Sequence, residues 1–501
     1  MKTNTLDFDA KALRDKILDL AMRGKLVPQD PNDEPASVLL EKIKAEKAEL
    51  VKEKKIKKSK PLPEITDDEK PFDIPDSWEW VRLGEVGNYI QRGRSPKYDK
   101  KNKSHPIISQ KCVQWENIYL KDAKYITKTF FDKLEDYRFV QENDVLWNST
   151  GTGTVGRLNI VKQNLDHIPV DSHVTLIRMN KQVNPDYIYY YLRSPEIQDN
   201  LNDYLTGTTK QKELGLTNIL KVKIPLPPLS EQSRIAAKIA QLFALLRKVE
   251  TSTQQYAKLQ TLLKSKVLDL AMRGKLVKQD PNDEPASVLL EKIKAEKAEI
   301  VKEKKIKKSK PLPPITDEEK PFDIPDSWEW VRLGNIVSYQ NGYAYKSSEL
   351  VKIRKGLPVI KSQNIMTLKV IIKDNNDYVK EPNEKMLNSK IIKGDLLMCL
   401  SSQSKNPEPL GKTAIYDLDK PALLNQRVLK LKLINHSMTD LIYYFINSSW
   451  FHFTVSHRGS GSGQSNLKLG DVMNMPIPVP PLNEEKHIVN RIEILFKKLS
   501  N

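Results

Sequence analysis

The sequence predicts an α+β chain in which two mixed α/β domains are separated by an antiparallel pair of long coiled-coil helices, with an internal pseudo-twofold repeat. Three observations predict it. Residues 16–84 recur almost verbatim at 266–334: of these 69 positions only 17, 28, 50, 64 and 68 differ, so 64 match. Similarity then collapses over 85–223 and 335–474, and returns in "KIPLPPLSEQ" (223–232) and "MPIPVPPLNEE" (475–485). Last, a heptad-spaced apolar seam begins at Ile235, and its second copy is divided between the two ends of the chain. A chain that keeps one part in duplicate and lets the other diverge reads as two identical docking surfaces for two copies of one partner, carrying two unlike heads. Recombination that homogenised one stretch without functional meaning is the competing reading.

The first region, 1–70, holds the end of a long helix, then "DPNDEPASVLLEKIKAEKAELVKEKK" (30–55), a helix with Asp33 as cap and Leu40, Ile43 and Leu50 on its apolar side. The run 41–60 carries nine Lys against four Glu, and 291–310 repeats it, so the two supply ten of the net charge of +18. That surplus is either a solvated face or a contact with DNA phosphates or an acidic partner. A Pro- and Asp-rich linker, 59–77, leads on to the first head at 71–229. Each head opens with "DSWEWVRLG", a β-type pattern, and continues in short strand-like runs with a few helices such as "DYIYYYLRS" (186–194).

The central region, 230–320, begins with the long helix. Ser230 follows "IPLPP", which cannot be helical, and takes the cap position. Alternate steps of four and three from Ile235 give Ile239, Leu242, Leu246, Val249, Thr253, Tyr256, Gln260, Leu263, Val267 and Leu270, with Gly274 as the stop. A helix of that length with one narrow apolar stripe needs a second helix. The match lies in two pieces: Ile488, Ile492, Leu495 and Leu499 in 483–501 correspond to Ile235, Ile239, Leu242 and Leu246, while Leu13, Ile17 and Leu20 correspond to Leu263, Val267 and Leu270. Residue 501 therefore corresponds to 248 and residue 1 to 251, so the chain reads as a two-unit ring cut inside one helix, with its termini close together. The second head occupies 321–482.

Bulk properties narrow the function. Only two cysteines, Cys112 and Cys399, are present, too few for a disulfide framework or a four-ligand zinc site, and the N-terminus has no apolar run of the signal-peptide kind. A reducing, cytoplasmic setting without membrane insertion is expected. "GTGTVG" (151–156) fits G-x-G-x-x-G, but "RLNIVKQ" after it alternates like a strand, so a hairpin is expected rather than a cofactor cradle. "GKT" (411–413) lacks the first glycine of a phosphate loop, since Asn406 stands there. His173, in "DSHVTLIRM", reads as a satisfied strand histidine. Both heads end in Gly/Ser/Thr-rich segments, 205–219 and 457–472, whose backbone could approach a ligand closely or form ordinary loops.

At this point the chain resembles the specificity subunit of type I restriction–modification systems: two diverged heads starting "WEWVRLG", each closing on "IPLPPLSEQ" or "IPVPPLNEE" before a long helix. The resemblance implies that each head is a target recognition domain for one half of a bipartite, asymmetric site in double-stranded DNA. It implies that the paired helices set the spacing and dock two adenine methyltransferase subunits, which restriction/translocase subunits can join. It also implies that this chain catalyses nothing and holds no cofactor, S-adenosylmethionine and ATP/Mg belonging to the other subunits. Base reading favours Arg or Lys to guanine and Asn or Gln to adenine, with phosphate contacts setting register. The DNA-binding candidates in head one are Gln91, Arg92, Arg94, Lys97, Lys210, Gln211 and Lys212. Those in head two are Asn341, Tyr345, Lys346, Gln363, Asn364, Arg458 and Gln464. Two rivals make different predictions. A two-headed protein adaptor would bind with weak salt dependence, and an enzyme using "GTGTVG" would retain S-adenosylmethionine or NAD on dialysis.

Overall fold

The computed structural model describes residues 9–58, 60–163, 165, 167–207, 212–366, 369–401, 410–458 and 466–500. It divides into two compact units, 1–253 and 254–501. Among the described residues no helix is long and apolar enough to cross a membrane.

Unit 1 is closed at its neck by the two motifs that recur. Glu79–Arg82 pairs antiparallel with Lys223–Leu226, Val81 opposite Ile224 and Trp80 opposite Pro225. Proline is tolerated there because this ribbon has only two strands, leaving each an edge with no second neighbour to supply. Beyond the neck lies a four-stranded antiparallel sheet in the order Gly87–Arg92, Val174–Met179, Val145–Asn148, Leu158–Ile160. Period-two alternation splits its side chains between two cores. Val145, Trp147 and Ile177 pack with helix Pro185–Leu192, whereas Leu146, Val174 and Leu176 pack with Ile108, Val140 and Val161. A sheet covered on both faces explains why "VLW" is an unbroken apolar run.

Unit 2 repeats this frame with different side chains. Glu329–Arg332 pairs with Pro476–Val479 in the same register, and its sheet runs Val337–Asn341, Val428–Leu433, Leu396–Cys399, Thr413–Ile415. It adds a second four-stranded sheet, with the parallel pair Leu357–Ile360 and Ala422–Leu424 at its centre.

The long helix runs Leu229–Met272, 44 residues. In unit 1 helix Ala10–Met22 runs antiparallel to its first half: Arg14 pairs with Glu250 at 2.5 Å, while further along the chain Gln29 donates to Glu231. In unit 2 helix Leu482–Ser500 runs antiparallel to its second half: the Gln260 amide donates to Leu499 O, Lys264 lies over the Phe496 ring, and Gln279 donates to Glu484. Ile235, Ile239, Ile488 and Ile492 are fully buried, and Leu242, Leu246, Leu495 and Leu499 half-buried. Ile17, Leu20, Val267 and Leu270 are half-buried.

Leu13, Val249 and Leu263 depart from the expected seam: they are 44%, 45% and 41% exposed. The enclosed positions are instead Leu18, Ala21 and Met22 and their counterparts Leu268, Ala271 and Met272. The face is rotated because Ala10–Met22 also packs against head helices Pro185–Leu192 and Pro195–Gln198. Residues 251–259 are exposed on all sides. Their sequence counterparts are the first residues of the chain, of which 1–8 lie outside the described residues, as does 501, and with them the expected proximity of the termini.

The helix predicted over 30–55 spans Ala36–Lys52 and is preceded by Pro35, not capped by Asp33. Asp33 instead accepts from Ser230 Oγ at 2.5 Å and pairs with Arg234 at 2.6 Å. Ile43 is buried as predicted, together with Ala36 and Leu39, while Leu40 and Leu50 are half-buried. One lysine of the basic run is consumed structurally: Lys47 Nζ donates to the carbonyls of Gly84, Glu85 and Gly87 at 2.9–3.0 Å. Burial lowers its pKa, and Lys297 repeats the arrangement.

Gly274 ends the long helix at φ +66°, where a Cβ would also lie 2.4 Å from Pro325 Cγ. Gly274→Ala is expected to destabilise the chain by about 2 kcal/mol, through left-handed strain and the clash together, in urea unfolding. A loss under about 0.5 kcal/mol would mean that the linker simply moves aside.

Candidate nucleic-acid interface

At one end of the unit 1 sheet four chain segments interlock. Strand Gly87–Arg92 leads into Gly93, where a Cβ would sit 1.9 Å from Val170 O. Only glycine lets this backbone lie flush on the turn 170–173. That turn is an Asx type, with His173 N donating to Asp171 Oδ1 at 2.9 Å. Ser149 N donates to His173 O at 2.8 Å, and Thr150 Oγ1 lies 2.6 Å from His173 Nδ1, which joins the turn to the glycine hairpin. Leu214 N donates to Ser149 O, which brings in the paired strands Leu205–Thr206 and Glu213–Leu214. Arg92 locks the set, its guanidinium donating to Glu213 Oε1 at 2.5 Å and Leu214 O at 2.6 Å.

The two candidate clusters of head one, far apart in sequence, therefore share one edge. Gln91, Arg94 and Lys97 are exposed there. Arg94 holds Glu135 at 2.8 Å, a surface pair worth at most about 1 kcal/mol, so little opposes its turning to an anion. Lys212 donates to Asn202 Oδ1 at 2.7 Å, and Lys210 and Gln211 lie outside the described residues. Arg92 is a correction: it buttresses the ribbon, and a side chain committed to Glu213 and a carbonyl has no free fork for a base. His173 is a second correction in its place only: it is hydrogen-bonded, but stands exposed in the turn before strand Val174–Met179 rather than within the strand.

Unit 2 builds the same edge from other residues. A Cβ on Gly342 would meet Asn425 O at 2.1 Å, and the turn is again Asx type, Arg427 N donating to Asn425 Oδ1 at 3.1 Å. Arg427 Nη1 donates to Asn466 Oδ1 at 2.8 Å, and Ser401 bridges to Asn466, as Thr150 does to Glu213 in unit 1. Asn341, Lys346 and Gln363 are exposed, and Tyr345 is half-buried with its hydroxyl 3.0 Å from Ser389 Oγ. Asn364 is a correction: it is fully buried, its amide donating to Ile371 O and Asn376 Oδ1 while its oxygen accepts from Lys361 N. Arg458 ends helix Ser449–Arg458 with its side chain outside the described residues, and so is Gln464.

His173 and Arg427 occupy matching turn positions and are further candidates that the sequence reading did not name. The signal was present in the sequence: an Asp or Asn two residues before each, directly ahead of an apolar strand, marks an Asx turn that exposes the residue after it. "GTGTVG" forms the expected hairpin connection between Val145–Asn148 and Leu158–Ile160, with Gly151, Gly153 and Gly156 at φ +104°, +76° and +88°. No helix follows it to point its N-terminus at a cofactor phosphate. "GKT" likewise runs into strand Thr413–Ile415.

Two stretches of the chain, 75–260 and 325–501, match the family model described as the type I restriction modification DNA specificity domain. The type I restriction enzyme EcoAI specificity subunit of Escherichia coli is 34% identical over 543 residues, covering 98% of this chain and 89% of that relative. The EcoEI specificity subunit of the same species is 30% identical over 550 residues, with the same coverage of 98% and 89%. A solved structure from work on complex assembly and conformational transition of the type I R-M system aligns with a TM-score of 0.54 at 20% identity. It covers 86% of this chain and 93% of that one, a likeness of fold.

Proposed function

Because the chain belongs to the type I restriction–modification DNA specificity family, we propose that each head reads one half of a bipartite, asymmetric site in double-stranded DNA. One observation carries this reading. The two units share a sheet order, a flush glycine and an Asx turn, yet present different side chains from that common edge: Gln91, Arg94 and His173 in one, Asn341, Lys346 and Arg427 in the other. A constant frame with variable tips suits two unlike half-sites. The near-identical repeat supports docking of two copies of one methyltransferase subunit, and the paired helices support a fixed spacing between half-sites. In this reading the chain catalyses nothing. S-adenosylmethionine, and ATP with Mg where restriction subunits join, are held by the other subunits.

The test is binding to duplexes in which one half-site is scrambled. Arg94→Ala with Gln91→Ala is expected to weaken binding about 10- to 100-fold when the half-site of head one is intact, and little when it is scrambled. Asn341→Ala with Lys346→Ala should show the converse. Affinity for intact DNA should also fall steeply as salt rises. If both double variants bind every duplex as the parent does, this edge does not read bases.

A further inference from the structure

Each head carries one tight turn that is built twice from unlike residues. In unit 1 it is 109–112, where Cys112 N donates to Ser109 O at 2.8 Å and Ser109 N donates back to Cys112 Sγ at 3.4 Å. In unit 2 it is 361–364, where Asn364 N donates to Lys361 O at 2.8 Å and Lys361 N donates to Asn364 Oδ1 at 2.9 Å. Cys112 and Asn364 are both fully buried. A sulfur in one head and an amide oxygen in the other thus close the same loop on the same backbone N–H. No position of the turn holds the same residue in the two heads.

The turn is also placed alike. Asp171 N donates to Ile108 O at 2.9 Å, and Asn425 N donates to Ile360 O at 3.0 Å. In both heads the residue before the turn is therefore tied to the Asx residue of the edge described above. Asn148 Nδ2 adds a further tie in unit 1, donating to Gln110 O at 2.9 Å. The third position of the turn is Lys111 in one head and Gln363 in the other. Both are exposed, and among the described residues neither side chain makes a hydrogen bond or ion pair. Arg94 and Lys212, by contrast, are held by Glu135 and Asn202. A long polar side chain with no partner, raised on a turn already fixed by a buried neighbour, loses little freedom when it meets a ligand.

We propose that Lys111 and Gln363 are equivalent specificity-determining residues, Lys111 reading a guanine and Gln363 an adenine in the half-site of its own head. The chemistry follows from their donors and acceptors. An ammonium only donates, which suits the O6 and N7 acceptors of guanine in the major groove; a carboxamide donates and accepts, which suits N7 and the amino group of adenine. Phosphates are the same along every duplex, so a phosphate contact at this position would call for a cation in both heads. The change from lysine to a neutral glutamine on an otherwise equivalent turn favours base edges. This assignment rests on the half-site reading given above and adds to it a residue in each head and the base it takes.

The measurement is the set of duplexes that the full-length chain, purified with the other subunits of its system, selects from a randomised pool. The parent should select one split motif. Lys111→Gln should change a single G·C position in the half read by head one to A·T and leave the other half untouched. Gln363→Lys should change a single A·T position in the half read by head two to G·C. Lys111→Ala and Gln363→Ala should lower discrimination at those same positions about 10-fold. None of these should lower the unfolding midpoint, since both side chains are exposed. An unchanged motif in all four variants would overturn the assignment. So would a loss of affinity by Lys111→Gln that is equal for every duplex and comes with a shallower salt dependence, the mark of a phosphate contact. A parent that selects no split motif would sink the half-site reading itself, and the assignment with it.

Discussion

Arg82→Ala is expected to lower the unfolding free energy by about 2–3 kcal/mol, because it removes an enclosed guanidinium and strands several carbonyls. The side chain is only 4% exposed. Its guanidinium donates to Pro63 O at 3.2 Å, Lys221 O at 3.1 Å, Glu64 O at 3.3 Å and Glu69 Oε2 at 2.8 Å. One side chain thus pins the Pro-rich linker to both strands of the neck. The linker has no sheet of its own and little buried surface, so it has few other restraints. Arg332 makes the same set of contacts with Pro313, Pro314, Asn474 and Glu319, so Arg332→Ala should cost a similar amount. Arg82→Lys should recover little of the loss, since an ammonium cannot span four acceptors in a plane. Urea unfolding reads the free energy, and limited proteolysis within 59–77 should quicken in parallel. A change below about 0.5 kcal/mol, with the linker still resistant, would show that the arginine is a passenger.

Glu485→Gln is expected to stabilise the chain, and only above mildly acidic pH. Glu485 occupies the position of Gln232 in unit 1, whose amide donates to Pro227 O at 2.9 Å and whose oxygen accepts from Asn184 N at 2.8 Å. The carboxyl of Glu485 is 2% exposed, and its Oε2 has no hydrogen-bond partner. Burial, with Asp440 nearby and only partial help from Lys486, pushes its pKa from 4.5 up to about 7. Below pH 4.5 both folded and unfolded chains carry the proton and the group is neutral to stability. Between 4.5 and 7 the unfolded chain releases its proton while the folded chain keeps it, so stability falls as pH rises, and above 7 the loss is complete. The full span corresponds to about 3 kcal/mol at most. Glutamine needs no proton and can donate as Gln232 does. The substituted chain should therefore match the parent at pH 4 and exceed it in melting temperature by several degrees at pH 8. Equal gains at both pH values would trace the effect to packing rather than charge.

Sequence pattern and tertiary contact govern different properties of this chain. Local patterning by itself determined the long helix, the neck motifs, the hairpin at "GTGTVG", the division into repeated scaffold and divergent heads, and the family. Each of these rests on periodicity, on proline and glycine punctuation, or on self-similarity, which a chain displays without folding. Only the tertiary structure decided which side chains face solvent. Arg92 and Arg94 stand two residues apart in one basic string, yet one is bound by Glu213 and Leu214 from more than a hundred residues away and the other is exposed. Asn364 looked like an adenine reader and is enclosed by Lys361, Ile371 and Asn376, whereas His173, read as a strand histidine, stands exposed in a turn. Lys47 is indistinguishable in sequence from its neighbours in the basic run, but three carbonyls of the following strand region capture it. The same holds for the seam, where contact with head helices turned the buried face from Leu13 to Leu18. Spacing along a chain determines which residues share an element. What lies opposite that element depends on contacts closed over long loops, and these decide which polar groups remain free to meet DNA.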